Sequence, residues 1–296
     1  MFRGSIVAII TPFKNGKLDE EKIKQLIEFQ ITNGTHGIVP CGTTGESPTL
    51  THQEHNRMIE LTVDAVDGRV AVIAGTGSNS TAEAIEFTKH AAKAGADGAL
   101  VVTPYYNKPT QKGLYLHFKA IADSCDIPII LYNIESRTGR NIETETVAKL
   151  ARDCKNIIGV KEASGSLEQA KAVRQACGDD FIILSGDDAL TLKMMDLGGS
   201  GVISVVANIV PQDVAAMVEA YENGEKDKAN KINTKLAPLV AAMFVETNPI
   251  PVKKAAELLG LCSGDVRLPL CEMEDENLKK LVTALENYSL LTNAKG

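Results

Sequence analysis

Short apolar, β-rich runs alternate eight times with longer segments of helical spacing, and this alternation constrains the fold more than any other feature of the chain. The runs fall at residues 5–10, 37–41, 70–74, 98–103, 128–132, 157–161, 181–185 and 201–205. Each is nearly continuous in apolar residues, the pattern of a strand buried on both faces of a parallel sheet. Between them, Asp19 is positioned to cap a helix reaching Thr32 with Gly34 as its stop, and Thr51 with Glu54 reads as a capping box. Residues 81–94 read as a helix closed by Gly95. Eight β-then-α units in roughly 220 residues predict a closed (β/α)8 TIM barrel, an α/β fold. An open doubly wound sheet would more commonly begin on a glycine-rich turn, whereas the first turn here is Ile10-Thr11-Pro12-Phe13. The stretch Gly75-Thr76-Gly77-Ser78-Asn79-Ser80 lacks the third glycine of a dinucleotide fingerprint. After about Gly224 the strand signal stops, and residues 226–245, 251–261 and 274–290 read as helices. The expected organisation is a catalytic barrel over 1–224 and a C-terminal helical domain over 225–296.

Charge and cysteine usage narrow the function. A net charge of −7 and a pI near 5.4 argue against nucleic-acid binding, which needs concentrated Lys and Arg. The apolar run at the N-terminus is too short to span a bilayer and lacks a signal-peptide layout, and no later run is long enough, so no membrane role is expected. The six cysteines contain no CxxC pair, and a chain with 44% hydrophobic residues needs no disulfides. Reduced core-filling thiols in a cytoplasmic protein are the expectation.

In a (β/α)8 barrel, chemistry gathers at the C-terminal ends of the strands. Strand two ends in Gly42-Thr43-Thr44-Gly45-Glu46-Ser47, strand four in Pro104-Tyr105-Tyr106-Asn107, strand five in Tyr132-Asn133, strand six in Lys161-Glu162, strand seven in Gly186-Asp187-Asp188, and strand eight in Ala207-Asn208. Burial at the end of an apolar strand disfavours the charge of Lys161, and a neutral amine is the form that attacks a carbonyl to make an imine. A structural ion pair with Glu162 fits the same position. Gly42-Thr43-Thr44-Gly45 could cradle a carboxylate on backbone N–H groups and hydroxyls, or be an ordinary strand-to-helix turn. Tyr106 and Tyr132 could relay protons, or simply pack with satisfied hydroxyls. Arg137 could clamp a second carboxylate, or sit in a surface loop. His52 and His55 share a helix face, but no third ligand follows at a suitable spacing, so no metal is expected.

Gly42-Thr43-Thr44-Gly45-Glu46, Tyr132-Asn133 and Gly159-Val160-Lys161-Glu162-Ala163 together resemble the dihydrodipicolinate synthase and N-acetylneuraminate lyase superfamily. Three further segments resemble its dihydrodipicolinate synthase branch: Pro104-Tyr105-Tyr106-Asn107-Lys108-Pro109, Ser136-Arg137-Thr138-Gly139 and Asn248-Pro249-Ile250-Pro251-Val252-Lys253. The resemblance runs from Gly4 to about Pro269. It implies a homotetramer built as a dimer of dimers, and a Schiff-base-forming lyase with no cofactor beyond the covalent imine on Lys161. By resemblance, Lys161 condenses with pyruvate, and the enamine attacks L-aspartate 4-semialdehyde to give 4-hydroxy-tetrahydrodipicolinate for diaminopimelate and lysine synthesis. Thr43, Tyr132 and Tyr106 match the proton relay, Tyr106 coming from the neighbouring subunit. Thr44 matches the contact to the pyruvate carboxylate, Arg137 the clamp on the semialdehyde carboxylate, and Gly186 and Ile203 the pocket lining. Ser47, His52, His55, Asn79, Glu83 and Tyr105 match an allosteric L-lysine site at the dimer interface, with Glu83 on the ligand's ammonium group. One departure is Glu135, where the family usually has proline; it frees a backbone φ and adds a charge two residues from Arg137.

Two other functions compete with this reading. A sialic-acid or keto-sugar-acid lyase would share Lys161 and Tyr132 but not Arg137-Thr138-Gly139. A non-catalytic sensor of keto acids or amino acids would not need Thr43, Tyr106 and Tyr132 together with Lys161.

Overall fold

A computed structural model describes residues 2–291. Eight parallel strands close on themselves, each paired with its neighbours in sequence and the last with the first. They are β1 (Gly4–Ala8), β2 (Gly37–Val39), β3 (Ala71–Gly75), β4 (Gly98–Val102), β5 (Ile129–Asn133), β6 (Ile157–Glu162), β7 (Ile182–Ser185) and β8 (Gly201–Ser204). All eight predicted runs are therefore barrel strands. Their continuous apolar character has a simple cause. Ile6, Val39, Ile73, Leu100, Ile130 and Leu184 fill the barrel, while Val7, Ile38, Val72, Val101, Leu131 and Ile183 pack outward against helices.

The closing seam is specified locally. Gly201 pairs with Gly4, and a Cβ on Gly201 would come within 2.1 Å of the Gly4 carbonyl oxygen. Asn208 then stitches β1 to the segment after β8: it accepts from the Ile10 N–H at 3.0 Å and donates to the Ala8 and Val205 carbonyls at 2.8 and 2.9 Å.

The barrel helices are α1 (Glu20–Thr32), α2 (His52–Val66), α3 (Thr81–Ala94), α4 (Gln111–Ala122), α5 (Thr144–Asp153), α6 (Leu167–Cys177), α7 (Thr191–Asp196) and α8 (Pro211–Glu222). Their ends obey the sequence signals. Asp19 accepts from the Lys22 N–H, Thr51 and Glu54 form the reciprocal capping box, and Gly95 closes α3 at φ +95°.

Among the described residues, three helices follow the barrel: α9 (Lys226–Ala242), α10 (Ile250–Leu258) and α11 (Asp275–Asn287). Leu236, Leu239, Val252, Ala255, Leu281 and Leu285 continue one apolar core with α1, α2 and α8. The β/α alternation has no room for a hairpin, yet Phe13–Lys14 pairs antiparallel with Lys17–Leu18 in the loop after β1. Its signal is Asn15-Gly16, whose φ values of +54° and +75° suit a two-residue turn. The thiols also depart from the expectation of core fillers: Cys41, Cys154 and Cys262 are buried, but Cys271 is exposed.

Candidate active site

Lys161 is the penultimate residue of β6, its side chain turned into the barrel, level with Tyr132 on β5 and Leu184 on β7. It is 6% exposed, and its Nζ lies 4.2 Å from the centre of the Tyr132 ring. The neighbouring carboxylate is not its partner. Glu162 faces the helices and accepts from Asn133 Nδ2 at 3.1 Å, Gln169 Nε2 at 3.0 Å and the Ser164 N–H at 2.8 Å. No ion pair joins Lys161 to any carboxylate among the described residues. The structural ion pair that the sequence left open is thus excluded.

Gly186 makes the room that Lys161 occupies. A Cβ there would stand 2.5 Å from Ala163 Cβ and 3.0 Å from Lys161 Cε. Gly186→Val should therefore displace the amine and, on the imine chemistry that the resemblance implies, slow its capture of a keto acid by roughly 10²-fold. Rates of borohydride trapping with pyruvate measure this, and a wild-type rate would exclude the steric role.

The loop after β2 brings in the hydroxyls. Cys41 and Glu46 take positive φ values of +55° and +54° and bracket Gly42-Thr43-Thr44-Gly45. The expected cradle is narrower than four residues, because the N–H groups of Gly45, Glu46 and Ser47 close turns onto Gly42 and Thr43. The N–H groups of Thr43 and Thr44 have no acceptor among the described residues. Thr44 is buried, and its Oγ1 accepts from Asn248 Nδ2 at 3.0 Å.

A cavity of about 330 Å³ opens at this end, lined by Thr43, Tyr132 and Arg137 with Ser47, Tyr105 and Ile134 among others. Arg137 lies in a short helix, Glu135–Thr138, and its Nη2 donates to the Asn248 carbonyl at 3.0 Å. Glu135 is exposed and makes no ion pair with it among the described residues, so the extra charge does not capture the arginine. Ile203 is buried inside the barrel, in the same apolar cluster as Tyr132. Tyr106 is not brought to this cavity. It is 89% exposed, with φ +69°, on the loop whose other tyrosine, Tyr105, lines the pocket.

The sequence named Asn248, Glu46 and Lys253 within matching segments but gave no role to Asn248 or to the buried pair beneath the loop. Lys253 Nζ reaches Glu46 Oε1 at 2.6 Å and the Thr11 carbonyl at 2.9 Å, and the Arg267 N–H donates to Glu46 Oε2 at 3.0 Å. Among the described residues, no cluster of His, Cys, Asp and Glu could hold a metal ion.

A family model described as the Dihydrodipicolinate synthetase family matches residues 1–288. The chain belongs to the dihydrodipicolinate synthetase family. A 4-hydroxy-tetrahydrodipicolinate synthase from Syntrophus aciditrophicus is 60% identical over 291 residues, covering 98% of this chain and 100% of that protein. A chloride-inhibited dihydrodipicolinate synthase from Acinetobacter baumannii, solved in complex with pyruvate, superposes with a TM-score of 0.95 at 43% identity, covering 98% of this chain and 100% of the other. The enzyme from Cyanidioschyzon merolae, solved with lysine bound, gives 0.95 at 45% identity over 98% and 99% of the two chains.

A second polar cluster of this dihydrodipicolinate synthetase family member adjoins the cavity. His52 Nε2 contacts Glu83 Oε1 at 2.7 Å, and Glu83 also accepts from the Ser78 hydroxyl. Those two contacts, the serine's first, hold the Glu83 carboxyl below its usual range. Glu83, expected to meet a ligand's ammonium group, holds His52 and Ser78 within the chain. Asn79 offers its carbonyl to Asn107 Nδ2 at 2.8 Å, while Ser47 and Tyr105 open onto the cavity. His55 stacks on Phe87 at 4.0 Å and donates from Nε2 to the Gly75 carbonyl at 2.9 Å.

Burial pulls His55 down to about 4, and His117, bonded to Thr81 on α3, likewise to about 4. Unfolded histidine titrates near pH ~6.5, so the folded chain binds fewer protons below that value. Stability should therefore be intact above pH ~6.5 and fall as pH drops toward about 4, by up to about 3 kcal/mol per histidine. Urea midpoints across that window test this. A His55→Gln/His117→Gln variant with an undiminished pH slope would overturn the assignment.

Proposed function

We propose that the chain is a 4-hydroxy-tetrahydrodipicolinate synthase, condensing pyruvate, held as an imine on Lys161, with L-aspartate 4-semialdehyde. The observation that carries the reading is a buried lysine with no carboxylate partner, set over Tyr132 beside a cavity whose rim holds Arg137. The unprotonated amine of Lys161 attacks the keto carbon of pyruvate, and loss of water gives the imine. Removal of a proton from the methyl group gives the enamine, whose carbon attacks the aldehyde. Thr43 and Tyr132 carry protons to and from these centres, joined by Tyr106 from a second copy in a homotetramer. The unpartnered N–H groups of Thr43 and Thr44 and the Thr44 hydroxyl receive the pyruvate carboxylate. Arg137 receives the carboxylate of the semialdehyde, and Gly186 and Ile203 bound the reacting groups. No cofactor takes part, since the imine itself is the electron sink.

A keto-sugar-acid lyase of the same superfamily would use Lys161 and Tyr132 equally well; Arg137 at the mouth favours a second substrate bearing a carboxylate. No helix among the described residues is long and apolar enough to cross a membrane. With its unpaired thiols, the chain suits a reducing cytoplasm. L-Lysine is an inhibitor acting at Ser47, His52, His55, Asn79, Glu83 and Tyr105, where it displaces His52 from Glu83. Flat activity across a lysine titration would remove that regulation. Borohydride reduction with pyruvate, followed by mass spectrometry, tests the chemistry: the adduct belongs on Lys161, and an adduct elsewhere or none would overturn it. Assays against candidate aldehydes then separate the synthase from a lyase.

A further inference from the structure

The residue that joins the two carboxylate-recognition elements is not on the barrel. Asn248 stands just ahead of α10 and is 5% exposed. Its Nδ2 donates to Thr44 Oγ1 at 3.0 Å, and its carbonyl accepts from Arg137 Nη2 at 3.0 Å. A hydroxyl has one proton and two lone pairs. With an amide N–H occupying a lone pair of Thr44, the threonine proton cannot point back at Asn248, and among the described residues it has no acceptor. It is left for a ligand, as are the neighbouring Thr43 and Thr44 N–H groups. Three donors and no acceptor suit a carboxylate, which only accepts.

The other end of the amide supports the same conclusion. Asn248 Oδ1 is buried with no partner among the described residues. An unsatisfied buried acceptor lowers stability, and an apolar side chain at this position would avoid the loss. The amide is retained for its donor end. The spacing between Asn248 and the loop is itself fixed, because Lys253 on α10 holds Glu46, two residues past Thr44.

We propose that Asn248 is a positioning residue for the first substrate: its amide N–H fixes the Thr44 hydroxyl as a donor to the keto-acid carboxylate, while its carbonyl seats Arg137 for the second. The proposal rests on the Schiff-base function above. Asn248→Asp is the decisive variant, since it keeps the shape and the backbone carbonyl but replaces the donor with an acceptor that draws the Thr44 proton away. The readout is the pyruvate concentration that half-saturates borohydride trapping on the full-length protein, which does not involve the second substrate. At mildly alkaline pH that concentration should rise about tenfold or more, as expected for losing a hydrogen bond to a charged group. Trapping at saturating pyruvate should still be complete. The defect should shrink as pH falls and the aspartate gains a proton, a response that a general loss of packing would not give.

Asn248→Ala guards against an unfolded aspartate variant. It should raise the half-saturating concentration several-fold, and adding Thr44→Val should raise it little further, because both changes remove one interaction. Unchanged half-saturation in a folded variant overturns the proposal, as do fully additive effects of Asn248→Ala and Thr44→Val. A wild-type protein that pyruvate and borohydride never label overturns the function itself, a result distinct from either.

Discussion

Lys161→Met should abolish covalent capture of pyruvate and lower turnover by on the order of 10³-fold or more, yet leave the protein at least as stable as before. The first half follows from the proposed imine, for which no other amine among the described residues stands over Tyr132. The second follows from the missing partner. Lys161 is buried but has no carboxylate partner among the described residues, so removing its amine leaves no orphaned charge behind. A methionine stem can still cover the Tyr132 ring. Trapping by mass spectrometry and a denaturant titration check the two halves together. A large loss of stability would mean that Lys161 is structural after all.

Lys253→Met should do the opposite, costing about 3–5 kcal/mol of stability and with it the order of the loop after β2. Lys253 and Glu46 are both 0% exposed, 2.6 Å apart, and Lys253 Nζ also lies 4.3 Å from the centre of the Phe13 ring. Removing the ammonium leaves the Glu46 carboxylate buried with only the Arg267 N–H on its second oxygen. Burial pushes the Lys253 ammonium below its usual range, and Glu46 pulls against that shift. Pairing with Glu46→Gln should recover part of the loss, because the charge stranded by the first change is then gone. Additive losses in the double variant, read from urea midpoints, would exclude the ion pair as the cause.

These two lysines explain how much of the site was legible in the sequence. Both follow a short apolar run, Gly159-Val160-Lys161 and Pro251-Val252-Lys253, and local pattern cannot tell them apart. Periodicity put Lys161 at the end of a strand, and strand ends meet at one mouth in a barrel. The partner of Lys253 is 207 residues away, and no local rule reaches that far. The same limit hid Asn248, whose contacts to Thr44 and Arg137 exist only once the C-terminal helices fold back. Strands were easy to read because both faces are buried, and helix ends because their caps are local. The hairpin at Asn15-Gly16 was missed for a different reason: its strands are two residues each, too short to set a period.

Tyr106, exposed on a backbone held at φ +69°, has a consequence at the level of the assembly. If its hydroxyl serves a neighbour's Lys161, each catalytic centre is assembled from two copies of the chain. Tyr106→Phe and Lys161→Met would then be complementary defects. Mixed subunits would pair one doubly impaired centre with one that carries neither lesion. Two preparations that are each nearly inactive should regain turnover on being dissociated and reassembled together, and should gain nothing when merely combined as intact oligomers.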